Sequence, residues 1–289
     1  VHLDAIGGGG QRLLAYMPYP WGYAGHELPT LVRGSDADTI WSVFQPDPLQ
    51  PFLAGTILSD PDIVELGDGA IRYYWRAVRN SHNVLVAADV RWDEPVVPMA
   101  LDSAPNHSLV SPAAARGADE LWRLWSVDAG PVGCGQPPQP VTLRTSTDGL
   151  TWSAPRPTNM VGWHLDVAQA TDGRWLALMT ATCGGSPYQW LWSSADGESW
   201  AAWPGIVFDA RDAGWTIAYR SSLVFAPGDS VALYYSGATW ERNPATGRDG
   251  YSWHAAREKI TTAELFARAA RPAPTALRAP PALPPPERP

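Results

Sequence analysis

DPDIVELGDGAIRYYWRAVR, residues 60–79, contains the unit from which most of the chain is built. A short segment, DPDIVEL from Asp60, runs through a GDGA turn into an aromatic stretch, IRYYWRAVR from Ile71. Aromatic and β-branched residues with partial alternation read as strand, and Gly-Asp-Gly reads as a tight turn. The aromatic half recurs as RLLAYMPYP from Arg12, LWRLWSVDA from Leu121, WLALMTATC from Trp175 and VALYYSGAT from Val231. The starts lie roughly 50 to 60 residues apart, the length of one four-stranded propeller blade. The shorter half recurs as HLDAI from His2, SPAAARG from Ser111, HLDVAQA from His164 and RSSLVFA from Arg220. The turns between the halves read GGGGQ, GADE, TDGR and PGDS. His2-Leu3-Asp4 and His164-Leu165-Asp166 match closely, each leading to an arginine, Arg12 or Arg174, at the same offset. The repeat predicts an all-β chain, a five-bladed β-propeller over residues 1–260, with the short halves as innermost strands.

Third strands end in a second motif. STDGLTW spans Ser146 to Trp152 and SADGESW spans Ser194 to Trp200, with worn copies at Ser35 to Trp41 and Asp89 to Trp92. Asp caps backbone N–H groups of a tight turn, Gly takes a positive φ, and Trp packs between blades. These aspartates are therefore expected to form turns. After Val231 the pattern fades. TTAELFARAA predicts a short capped helix within 261–271, and the Pro-rich stretch 272–289 reads as a tail or linker.

The composition agrees with one all-β unit. The chain of 289 residues carries 16 Trp and 29 Pro and is 45% hydrophobic. Its net charge of −8 argues against nucleic acid, which needs a basic footprint. No apolar run is long enough to span a bilayer, so no membrane insertion is expected; a monomer is. The opening VHLDAI has no visible signal peptide. Cys134 and Cys183 follow the second strands of adjacent blades, where equivalent loops come close enough for a disulfide. A bond there implies a secreted or extracytoplasmic protein; free thiols are the other reading.

Innermost strands begin on one face, and the loops between second and third strands share it. Positions two apart offer His2 and Asp4, Asp60 and Asp62, Ser111 and Ala113, His164 and Asp166, and Arg220 and Ser222. The loops add Glu27, Arg76 and Arg79, while Trp21, Tyr23, Trp163 and Tyr219 supply flat surfaces for sugar rings. Two carboxylates across a cleft would cleave a glycosidic bond, one held protonated by burial and like charge. The alternative for Asp4, Asp62 and Asp166 is that they satisfy backbone groups at the axis. For His2 and His164 it is a core histidine or a ligand of a central Ca2+, and for Arg220 a pair with a neighbouring Asp. No cofactor is required by either reading.

SDPDIVELGDGAIRYYWR resembles a blade of the five-bladed glycosidases, the arabinanase, xylosidase and fructosidase-like hydrolases. STDGLTW and SADGESW resemble their third-strand signature and the Asp-box of sialidases. HELPTLVRGSDADTIW and WHLDVAQATDGRWLAL are similar to an uncharacterised bacterial and phage-associated set of such propellers. The resemblance covers roughly residues 1–240. It implies a glycoside hydrolase in which Asp4 is the base or nucleophile and Asp60 or Asp62 orients substrate and tunes the acid. Those families take the acid Glu from blade three, where this chain reads VSPAAA, and Glu120 lies beyond that strand. The acid therefore falls to Glu27 or Asp166.

Two functions follow. In the first, an extracellular poly- or oligosaccharide is hydrolysed by Asp4 as base and Glu27 as acid. Asp62 and Asp166 tune or position, and His2, Asp60, Arg76, Trp163, His164, Tyr219 and Arg220 contact substrate. In the second, the propeller binds carbohydrate without catalysis, as an adhesin or a phage-derived receptor-binding module.

Overall fold

A computed structural model describes residues 2–8, 11–18, 21, 27–35, 40–44, 57–67, 69–79, 82–91, 94–105, 108–130, 139–226 and 228–273. Its strands form five antiparallel sheets. Blade one is β1 (His2–Gly8), β2 (Gln11–Met17), β3 (Thr30–Ser35) and β4 (Ile40–Phe44). Blade two is β5 (Ile57–Gly67), β6 (Ala70–Arg79), β7 (His82–Val90) and β8 (Met99–Pro105). Blade three is β9 (Val110–Arg116), β10 (Trp122–Val127), β11 (Pro140–Ser146) and β12 (Arg156–Val161). Blade four is β13 (Trp163–Gln169), β14 (Trp175–Thr180), β15 (Tyr188–Ser194) and β16 (Ala201–Asp209). Each is a simple meander, and the five short halves of the repeat are the innermost strands.

Blade five departs from the pattern. Its inner edge is split into β17 (Ile217–Ala218) and β18 (Ser222–Ala226), both paired to β19 (Ser230–Arg242). β19 then pairs with β20 (Asp249–Thr261). This last strand went unread in the sequence because YSWHAAREK mixes charge with aromatics. Helix α1 (Thr262–Ala270) follows, with the Thr261 hydroxyl accepting from the Glu264 N–H. It packs on β16 of blade four: Phe266 stacks on Trp203 at 5.2 Å, and Leu265 and Ala269 are buried beside Val207. Gly205 permits this approach, since a Cβ there would lie 2.5 Å from the Arg268 carbonyl oxygen. The tail beyond residue 273 lies outside the described residues.

Aromatic side chains fill the gaps between blades. Trp125 lies among Trp163, Trp175 and Trp200 between blades three and four, and Tyr73 and Trp75 lie with Met17 and Leu31 between blades one and two. Full burial of such a side chain stabilises by roughly 3 kcal/mol. The two Asp-Gly-Trp turns dock each blade on the one before. Asp148 accepts from the Leu150 and Thr151 N–H groups, and Asp196 from those of Glu198 and Ser199. The carbonyl of Gly149 then accepts from the Tyr74 hydroxyl of blade two, and that of Gly197 from Trp125 Nε1 of blade three. Gly149 sits at φ 69°, and a Cβ on it would lie 2.8 Å from Tyr74 Oη. Both aspartates form turns.

Candidate functional site

The inner strands carry a repeated backbone irregularity. Four residues of β5, from Ser59 to Asp62, face three of β6, from Arg76 to Tyr74, and the same extra residue occurs in β9 and β13. Asp60, Ser111 and His164 sit at these bulges with φ of 55°, 47° and 49°. Left-handed backbone is unfavourable for side-chain-bearing residues, and bulges re-aim side chains near functional sites. The bulge also interrupts strict period two, so Asp60 and Asp62 take different environments. One level forms a floor and the other, nearer the strand starts, a mouth.

Asp4, Asp62, Ala113, Asp166 and Ser222 make the floor. Asp4 Oδ2 accepts from the Ile63 N–H of blade two at 2.6 Å, Asp62 Oδ2 from Ala114 of blade three at 2.7 Å, and Asp166 Oδ2 from Leu223 of blade five at 3.2 Å. The Ser222 hydroxyl donates to Asp4 Oδ1 at 2.9 Å and accepts from the Ala5 N–H of blade one at 3.2 Å. Arg220 stands among them, wholly buried. It donates to Asp62 and to the Pro112 carbonyl, and its Nη2 is 3.7 Å from Asp166 Oδ1. Burial raises Asp4 well above the usual carboxylate range, and Asp166 and Asp62 raise it further. Burial also raises Asp62 and Asp166, against the pull of Arg220. Those charges in turn keep Arg220 protonated despite its burial.

Oxygens of Asp4, Asp62 and Asp166 lie within 4.8 Å of one another, a donor set of the kind a hard cation uses. The residues present do not fit an axial Ca2+. Arg220 supplies the positive charge, and the carboxylate oxygens are engaged by it, by Ser222 and by strand N–H groups. Under the floor lies an axial cavity of about 490 Å³, lined by Asp4, Glu65, Ala114, Arg116, Asp166 and Phe225 among others.

The mouth holds the other sequence candidates. Asp60 is fully buried and accepts from Arg76 Nε at 2.5 Å and from the Ser111 N–H at 3.2 Å. Arg76 also donates to Asn83 Oδ1 at 3.2 Å, and its side chain is 17% exposed. Glu27 lies beside this pair, 6% exposed and hydrogen-bonded to the Ser59 side chain. Burial pushes its carboxyl up to about 8; Asp60 adds to the rise and Arg76 opposes it. Across the mouth His164 Nε2 is 2.6 Å from the Cys183 carbonyl oxygen, and the Tyr219 ring lies 3.6 Å from the imidazole, centroid to centroid. Gln189 Nε2 donates to the Tyr219 carbonyl and to the Ser221 hydroxyl.

Of the expected substrate contacts, Asp60, Arg76, His164 and Tyr219 lie at the mouth. Arg220 does not: every partner named for it is inside the protein, because it neutralises the floor. Trp163, at 2% exposure, is core between blades three and four and offers no open ring. Glu120 pairs with Arg116 on the surface. His2 begins β1 opposite Met17, and its side chain, like Tyr23 and Cys134, lies outside the described residues. Cys183 is disulfide-bonded. Asn83 and Gln189 were missed. Their only signal was an amide side chain at the head of an apolar run, VLVAA in β7 and WLW in β15.

No protein-family model and no curated protein matches the sequence. Solved structures do. An N-acetylgalactosamine deacetylase from F. plautii, in complex with blood group B trisaccharide, superposes with a TM-score of 0.76 at 19% identity, covering 92% of this chain and 90% of that one. An exo-1,5-alpha-L-arabinanase from a bovine ruminal metagenomic library gives 0.58 at 10% identity, over 89% and 92%. A GH43_1 enzyme from Xanthomonas citri complexed with xylose gives 0.55 at 11% identity, over 89% and 86%. Among the described residues no helix is long and apolar enough to cross a membrane. At these identities the likeness is one of fold, and the fold is a five-bladed β-propeller.

Proposed function

We propose that this chain is a carbohydrate-active hydrolase working at the mouth, with Glu27 as its proton-transfer group. The observation that carries the reading is Glu27 itself: a buried carboxyl raised to about 8, beside the Asp60–Arg76 pair. An acid–base group is most effective when it titrates near the working pH.

Two bonds suit such a group. To cleave a glycosidic bond, Glu27 protonates the leaving oxygen while a second carboxylate takes the proton of the attacking water. Asp4, Asp62 and Asp166 are held in the floor by N–H groups and Arg220, and blade three has Ala113 at that level. Asp60 is then the second carboxylate. To remove an N-acetyl group, one acid–base group is sufficient. Glu27 takes a proton from water as oxygen attacks the carbonyl carbon. It then returns the proton to the leaving nitrogen, giving acetate and a free amine. Arg76, partly exposed beside Glu27, is the cation available to offset the negative charge that develops on the carbonyl oxygen. The scarcity of free carboxylates favours this second reaction, and so does the deacetylase's higher TM-score over nearly the whole chain. The disulfide at Cys183 supports an extracytoplasmic setting.

The test is to screen N-acetylated and neutral oligosaccharides for released acetate and released reducing ends, with wild type and Glu27→Gln. Turnover is expected in wild type and a loss of about 10²–10⁴-fold in the variant. Acetate alone identifies deacetylation, and reducing ends alone a glycosidase. Binding without either product favours a non-catalytic propeller.

A further inference from the structure

Blade five is longer than its own inner edge. β19 and β20 pair residue for residue from Ser230 opposite Thr261 to Arg242 opposite Asp249. The inner strands reach only as far as Ala238. Thr239 to Arg242, with Asp249 to Ser252 opposite, therefore run on past the sheet, an overhang of roughly 13 Å. β19 is antiparallel to β18, so the overhang rises on the side of the mouth.

One face of this hairpin is aromatic. Trp240 is directly opposite Tyr251, and Trp253 follows two residues on along the same face. Ring centroids step from Trp240 to Tyr251 at 4.9 Å, to Trp253 at 6.0 Å, to Tyr219 at 5.0 Å and to His164 at 3.6 Å. Exposure falls along the string: Trp240 is 55% exposed, Tyr251, Trp253 and Tyr219 are half-buried, and His164 is buried. Beside Trp253 the seam with blade one opens into a cavity of about 590 Å³, walled by Leu14, Tyr16, Tyr234 and Trp253 among others. A core-filling role accounts for the opposite face, where Trp215 stacks on His254 at 5.7 Å. It does not account for a large exposed aromatic at the tip of a strand overhang.

We propose that Trp240, Tyr251 and Trp253 are stacking subsites for the further units of a sugar chain whose reacting unit lies by Glu27. The chain acts on an oligo- or polysaccharide and grips several units of it. The apolar C–H face of a pyranose or furanose covers an aromatic ring, and a Trp or Tyr with one open side binds it at low entropic cost. The string is continuous with the candidate site through Tyr219 and His164, which fixes the direction in which the sugar chain leaves. This inference rests on the mouth being the sugar site, and not on which bond is broken there.

The experiment titrates the Glu27→Gln protein, following tryptophan fluorescence, with two- and six-unit N-acetylated chito-oligosaccharides, arabino-oligosaccharides and xylo-oligosaccharides. In at least one series the hexamer is expected to bind about tenfold more tightly than the dimer. Trp240→Ala should bring that ratio close to one, and Trp240→Phe, which keeps a ring, should restore most of it. Equal affinities for dimer and hexamer in every series, no binding in any, or a ratio indifferent to Trp240→Ala would overturn the inference. Length-dependent binding by a protein that releases neither acetate nor reducing ends would leave it standing while removing the hydrolase reading. Turnover without length dependence would do the reverse.

Discussion

Arg220 and Arg76 each sit against a buried aspartate, one in the floor and one at the mouth. Arg220 comes from blade five and bonds Asp62 of blade two and the Pro112 carbonyl of blade three, with Asp166 of blade four 3.7 Å away. Arg76 bonds Asp60 and Asn83, both within its own blade. The floor arginine stitches the ring across its axis. The mouth arginine organises a local, partly exposed pair next to a perturbed carboxyl. Residue type is the same in both places; what differs is whether the partners belong to the scaffold or leave something for a ligand.

Removing Arg220 should have the largest effect. Arg220→Met leaves three buried carboxyls without their cation, a loss of about 3–5 kcal/mol by denaturant unfolding. The pH dependence follows from the raised carboxyls. Asp4, Asp62 and Asp166 have folded-state values above their unfolded ones, Asp62 at about 7. Their contribution to stability is complete below the unfolded value and is lost as pH rises through the folded one. The variant should therefore suffer more at pH 8 than at pH 5, and Arg220→Lys should recover part of the loss. An Arg220→Met protein as stable as wild type at pH 8 would mean that the floor does not hold the ring.

How much of this was readable in advance depended on whether the signal was periodic. The five inner and five second strands follow from spacing, because every blade repeats the same burial demand. The Asp-Gly-Trp turns follow from local chemistry. The division between floor and mouth was not readable, since alternation puts Asp60 with Asp62 and Arg220 with Ser222. The bulges at Asp60, Ser111 and His164 and the break between β17 and β18 separate them, and neither leaves a mark in a single sequence. The sequence leaves Arg220 as either a substrate contact or a partner of Asp; only its contacts with three other blades decide for the second. The β19–β20 overhang escaped because its polar outer residues dilute the strand pattern.

Glu27→Gln sharpens the contrast from the other side. Glu27 has a folded-state value of about 8 against an ordinary 4.5. Between those values the folded protein holds a proton that the unfolded chain releases, so wild type loses stability as pH climbs through that window. Gln cannot ionise. The variant should match wild type near pH 4.5 and exceed it by roughly 1–3 kcal/mol at pH 9, while turnover falls. Stability gained as activity is lost is the expected behaviour of a group held in an unfavourable state for function. A variant less stable than wild type at pH 9 would make Glu27 a scaffold residue like those of the floor.

The smallest change bears on the one gap in the floor. Ala113 stands where the other blades have Asp4, Asp62, Asp166 and Ser222, and it is fully buried. Ser222 accepts from the Ala5 N–H of the next blade, which Asp4 also engages. At blade four the Val167 N–H has its own Asp166, and the Ala113 side chain of blade three offers it no acceptor. Ala113→Ser would supply one. If the floor is only stitching, thermal unfolding should shift upward by the equivalent of about 1 kcal/mol or less, with turnover unchanged. If substrate reaches through the mouth to the gap, the added hydroxyl would instead cut turnover tenfold or more at undiminished stability. That outcome would merge the two levels into one site and return Asp62 and Asp166, on either side of Ala113, to the chemistry.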